Sequence, residues 1–200
     1  MQFETETDLG VLDFVHARQP NSNKIVTWEI AGTSHADQST LDYGVASAAR
    51  WTTGKTDFTQ LCGTINDGPQ AEVLRAAYAA MTRWVVDGAR PPTPPRLTTD
   101  GTGAIVRDEL GIAKGGIRTA AVDAPLTILT GKSQASSIFC SLFGSRTPLT
   151  PEQIRERYPT SSAYVDAVTR STKAAQQTGY LLPADADAII AAAKKTPFPA

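Results

Sequence analysis

The chain has 200 residues, 41% hydrophobic, 20% charged and 7% aromatic, with 19 basic against 20 acidic side chains and a formal net charge of −1. That length suits one domain with a buried core, the apolar fraction excludes a disordered chain, and no run approaches the roughly 20 apolar residues of a membrane helix. There is no basic excess, which argues against nucleic acid or anionic lipid as a partner.

The first eight residues, Met1 to Asp8, are acidic, alternate in polarity like a short strand and lack the apolar stretch of a signal peptide. The pattern breaks at Gly10, and Gln19-Pro20-Asn21-Ser22-Asn23 is a cluster of turn formers. Lys24 to Ala31 then reads as a strand. Val26, Trp28 and Ile30 share one face, and Ile25 adds apolar character to the face of Thr27 and Glu29, so both sides are expected to be at least partly covered. Gly32 stops it, and Thr33-Ser34-His35-Ala36-Asp37 must form a loop. From Gln38 to Leu61 apolar and aromatic residues occur without a sustained period.

Asn66-Asp67-Gly68-Pro69 is a helix start signal, and the helix it opens should run from Pro69 to Asp87. Val73, Ala77, Met81 and Trp84 form its apolar stripe, widened by Leu74, Tyr78 and Val85, and Gly88 is placed to end it. Pro91-Pro92-Thr93-Pro94-Pro95 is a stiff connector. Beyond it, Gly101, Gly103, Gly111, Gly115 and Gly116 punctuate a loop-rich region, with Val122–Leu129 as a short strand that Pro125 confines to an edge. Three helical patterns close the chain, at Pro151–Arg157, Ser161–Thr178 and Ala184–Lys195.

There are only two histidines. His35 follows a strand directly, so a rigid element would hold it while its ring stays accessible, as a general base requires. An ordinary loop histidine is the alternative. His16 lies in a polar, turn-flanked stretch and is expected at the surface. Glu4, Glu6 and Asp8 lie upstream, and a carboxylate among them would orient the imidazole by accepting its second N–H. Three solvated acids near a terminus are the competing reading.

No HxxxH or HExxH spacing supports a metal site, and neither Asp100-Gly101-Thr102-Gly103-Ala104 nor Lys114-Gly115-Gly116 meets the pattern of a phosphate cradle, so neither metal nor cofactor is expected. Cys62 and Cys140 are too few for a disulfide framework and out of CxxC spacing. Each sits among apolar neighbours and is expected as buried packing. The sequence holds no GxSxG nucleophile elbow, so it contains half of a catalytic machine.

Trp28-Glu29-Ile30-Ala31-Gly32-Thr33-Ser34-His35-Ala36-Asp37 resembles the strand and histidine loop of a bacterial group of α/β-hydrolase domain proteins. So do Ala17 to Asn21, Cys62 with Ile65 to Pro69, Gly115 to Thr119, Cys140 to Ser145, and Leu181 to Ala186. The resemblance spans nearly the whole chain. It implies an α/β fold with a Ser–acid–His triad, in which His35 is the histidine, Glu6 the first choice of acid and Asp8 the second. It also implies that the serine, its elbow and most of the parallel sheet lie upstream of Met1.

On that reading the 200 residues are the C-terminal part of an α/β-hydrolase fold, the last sheet strands plus packing helices. Residues 1–90 form the end of the core, and 91–200 form a Pro-linked extension, loop-rich then helical, packed on the same domain. The expected activity of the longer protein is carboxylic-ester hydrolysis on a small-molecule substrate. The alternative is a complete, catalytically inactive binding or interaction module of the same fold.

Overall fold

The computed structural model describes residues 1–51, 57–134 and 137–199. Its central feature is a pair of parallel strands, β1 (Gln2–Thr5) and β2 (Thr27–Ile30), in a register that sets Phe3 beside Trp28 and Glu4 beside Glu29. On its other edge β2 is joined by Ile117, whose N–H donates to the Glu29 carbonyl at 2.7 Å and whose carbonyl accepts the Ala31 N–H at 3.0 Å. Hydrogen-bonded on both edges, β2 is buried at every position, as the apolar content of both its faces suggested.

Two of the expected limits move. The strand drawn over residues 24–31 shortens to Thr27–Ile30. Ser22 closes a turn with Ile25 (2.8 Å), and the Asn21 side chain takes the Thr27 N–H (2.8 Å). The opening strand ends at Thr5, where Thr5 and Asp8 form a reciprocal capping box that starts helix α1 (Glu6–Gly10). Glu6 and Asp8 therefore sit on the first turn of a helix, and only Glu4 of the three acids is in the strand.

The irregular stretch after the histidine loop contains two helices, α2 (Gln38–Ala48) and α3 (Phe58–Cys62), while its residues 52–56 lie outside those described. Helix α2 buries none of its residues, so it has no apolar stripe from which periodicity could be read. The long helix α4 (Gln70–Asp87) ends at Gly88 in the left-handed conformation, as expected. Its buried stripe is Val73, Ala76, Ala77 and Ala80, which pack with Trp28 and Ile30 of β2. Tyr78 and Val85, expected to widen that stripe, are 58% and 80% exposed. Trp84, also expected in that stripe, is half-buried and packs against the same cluster.

The proline segment is tied down by the Trp28 indole, which donates to the Pro92 carbonyl at 3.0 Å. Residues 97–115 form a meander of isolated antiparallel bridges. The edge strand expected over Val122–Leu129 is corrected. Its first half is a helical turn, α5 (Ala120–Asp123), capped by the Thr119 side chain, and only β3 (Thr127–Thr130) is extended, pairing antiparallel with β4 (Ser145–Pro148). Helices α6 (Pro151–Arg157), α7 (Ser161–Gln177) and α8 (Pro183–Lys195) follow within one residue of their expected limits.

The reading of the cysteines as separate packing residues is also corrected. Cys62 at the end of α3 and Cys140 in a 3-10 turn (Cys140–Phe143) form a disulfide across 78 residues, with Cα atoms 5.2 Å apart. One pair at such a separation has no local signature, and only the tertiary fold brings the two thiols together. Among the described residues no helix is long and apolar enough to cross a membrane.

Candidate active site

Strand β2 delivers His35. After Ile30 the chain turns at Gly32, whose φ of +75° and whose position 2.5 Å (from an ideal Cβ) from a Val122 methyl exclude a larger residue. Thr33 and Ser34 stay fully buried, and the Thr33 hydroxyl donates back to the Ile30 carbonyl at 2.8 Å. His35 emerges with its side chain 47% exposed. Two interactions hold the loop from behind. The Gln70 amide donates to the His35 carbonyl at 3.3 Å, and the Ala36 N–H donates to the Leu142 carbonyl at 3.1 Å in the turn that the disulfide anchors.

Strand β1 delivers the carboxylates. Asp8 Oδ1 lies 2.7 Å from His35 Nδ1, and its other oxygen accepts the Thr5 N–H (2.7 Å) and hydroxyl (2.8 Å). A carboxylate oxygen accepts, so this contact calls for the Nδ1–H tautomer of the imidazole, which leaves the Nε2 lone pair free. No hydrogen bond occupies Nε2 among the described residues. Asp8 is also in the first turn of α1, where the aligned peptide N–H groups favour a negative charge.

Glu6, the first choice for the acid beside the imidazole, faces elsewhere. Its fully buried carboxylate accepts the Gly32 N–H (2.6 Å), the Gly131 N–H (3.0 Å) and an Arg107 guanidinium N–H (2.7 Å). Glu4 is buried beside Glu29, and its Oε2 has no partner among the described residues. The structure thus brings together Asp8 and His35, and sets Glu6 behind them. His16 lies apart, with a side chain 66% exposed and 3.5 Å from Asp13.

Several residues that hold the site were not legible as such. Asn66, read as a helix-start signal, is a fully buried hub. Its amide donates to the carbonyls of Gly32 and Thr130 (3.1 Å each) and its oxygen accepts the Gly68 N–H (2.7 Å). The last contact is the Asx turn that the Asn-Asp-Gly signal foretells, whereas the other two reach 34 and 64 residues away. Arg107 and Gly131 carry no local signal at all. At Gly131 a Cβ would meet the Thr7 nitrogen at 2.6 Å, so the close approach of α1 requires glycine.

Chemically, a carboxylate, an imidazole oriented by it and an open Nε2 at the end of a parallel strand make a proton acceptor and donor. Among the described residues no group of three or more His, Cys, Asp or Glu side chains is placed to hold a metal ion. A family model described as an alpha/beta hydrolase domain matches residues 1–191. Neither the curated proteins nor the solved structures contain a significant match to the chain.

Proposed function

Because the chain belongs to the α/β-hydrolase domain family, matched over nearly its whole length, we propose that its Asp8–His35 pair is the acid and base of a serine hydrolase acting on carboxylic esters. The observation that carries this reading is the 2.7 Å contact between Asp8 Oδ1 and His35 Nδ1, which leaves Nε2 open. Asp8 takes the orienting role in place of Glu6, whose carboxylate is spent on Arg107 and two backbone N–H groups.

The nucleophile is a serine outside these 200 residues, since the sequence has no GxSxG elbow and His35 Nε2 has no hydroxyl partner among the described residues. That serine attacks the ester carbonyl while Nε2 takes its proton. The tetrahedral intermediate collapses, and the same proton passes to the departing alcohol. Water then attacks the acyl-enzyme through the same cycle, releasing the acid and restoring the serine. Asp8 holds the ring and stabilises the imidazolium formed in each half-reaction.

The test is turnover of p-nitrophenyl butyrate by the polypeptide translated from the reading frame extended upstream of Met1, with and without His35→Ala. Hydrolysis that falls about 10³-fold or more in the variant is the expected result. Turnover indifferent to His35→Ala overturns the assignment. The 200 residues alone are expected to turn over no ester. If they do, and His35→Ala abolishes it, the nucleophile lies within them.

A further inference from the structure

We infer that Glu6 and Arg107 are a positioning pair that fixes the distance between Asp8 and His35. The inference rests on the reading of Asp8 and His35 as an acid–imidazole pair. Helix α1 has five residues, too short to hold a direction by its own hydrogen bonds, yet it carries the carboxylate whose placement decides the orientation of the imidazole. Its direction has to come from tethers, and three consecutive residues supply them. Glu6 binds Gly32 N–H, Gly131 N–H and Arg107, the Thr7 hydroxyl donates to the Gly131 carbonyl at 2.8 Å, and Asp8 meets His35.

The Glu6 contact to Gly32 is the informative one. Glu6 stands two residues before Asp8, and Gly32 stands three residues before His35. One carboxylate therefore ties together the backbone segments that present the two halves of the pair, at 2.6 Å and fully buried. A buried charge is costly unless it is paired and hydrogen-bonded. Arg107 supplies the pairing, and is itself oriented by donating to the Gly111 carbonyl at 3.0 Å. Removing either partner leaves the other charge buried and uncompensated, so α1 has to shift or take up water, and Asp8 moves with it. Arg107 lies 101 residues from Glu6, which makes the segment after the prolines part of the apparatus that holds the pair.

The experiment reads the pair directly and needs no turnover. In the ¹⁵N-histidine-labelled 200-residue chain, the proton on His35 Nδ1, held by Asp8, is expected as a downfield resonance that exchanges slowly with water. Asp8→Asn serves as the control and abolishes it. Glu6→Gln, which keeps the shape and removes the charge, and Arg107→Met are expected to lose the resonance, while Arg107→Lys, which keeps a charged donor, retains it.

If Asp8→Asn removes the signal while Glu6→Gln and Arg107→Met leave it in place with only a lower Tm, the pair is structural and the inference fails. If the signal is absent from the parent chain or survives Asp8→Asn, it is the underlying acid–imidazole reading that fails. Should Glu6→Gln not fold, the contrast between Arg107→Met and Arg107→Lys decides, and equal signals in the two overturn the inference.

Discussion

Glu4 and Glu29 stand side by side across the parallel pair β1–β2, and only Glu29 is neutralised. Glu29 is completely buried and accepts from Arg18 (2.9 and 2.7 Å), Arg96 (3.0 Å) and the Leu97 N–H (2.7 Å). Four donors on one carboxylate offset the cost of burying it. Glu4 has no such set. Its carboxyl is pushed above the ordinary glutamate value of 4.5, first by burial and then by the charges of Glu29 and Asp8, with Arg96 and Arg18 pulling the other way.

A carboxyl whose folded value is raised binds its proton more tightly in the fold than in the unfolded chain. Its favourable contribution is present below 4.5 and is lost as the pH rises through the higher folded value. Above that range the fold carries the full cost of a buried charge. Glu4→Gln removes this cost, so the variant is expected to have a higher Tm than the parent at pH 7. The difference should close as the pH falls below about 4.5. Thermal melts of both proteins across that range check it, and a gain independent of pH would assign the effect to packing.

Asn66 joins the start of the histidine loop to the end of β3. Asn66→Ala leaves the carbonyls of Gly32 and Thr130 and the N–H of Gly68 without their partner. At about 1–3 kcal/mol for each buried group left unsatisfied, the expected loss is about 3 kcal/mol or more. At 2–4 °C per kcal/mol for a domain of this size, Tm should fall by roughly 6–12 °C. Differential scanning calorimetry measures it, and a fall of less than about 2 °C would show that water replaces the amide.

The disulfide joins α3 to the turn whose Leu142 and Phe143 carbonyls accept the N–H groups of Ala36 and Asn66. Closing a loop of 78 residues restricts the unfolded chain enough to stabilise the fold by about 4 kcal/mol. Melts with and without dithiothreitol should differ by roughly 8–16 °C. Cys62→Ser/Cys140→Ser should melt at the lower temperature in both buffers. A parent protein indifferent to the reductant would mean that the bond contributes nothing to stability. A bond of this kind persists in an oxidising compartment.

The ends of α4, α6, α7 and α8 were legible to within one residue because the signals that set them are local. Thr150 caps α6 with its own hydroxyl, and Gly88 takes the left-handed turn after α4. Each acts within about four residues and depends little on the rest of the chain. The same holds for β2 and its histidine loop, where β-branched and aromatic residues run into a glycine. The opposite case is α2, which buries nothing and so shows no apolar period.

Residue order and local chemistry thus determined β1, β2 and the helices α4, α6, α7 and α8, and marked His35 and the acidic stretch before it. They left open which carboxylate meets the ring, because Glu6 and Asp8 are only two positions apart and share one helical turn. Tertiary structure decided that choice through contacts at separations of 27 residues for Asp8–His35 and 101 for Glu6–Arg107, and it paired the cysteines across 78. Over such distances the partner of a side chain is set by how strands and helices stack. Loop closure, burial of charge and the fit at Gly32 and Gly131 then select one arrangement among many that the local sequence permits equally.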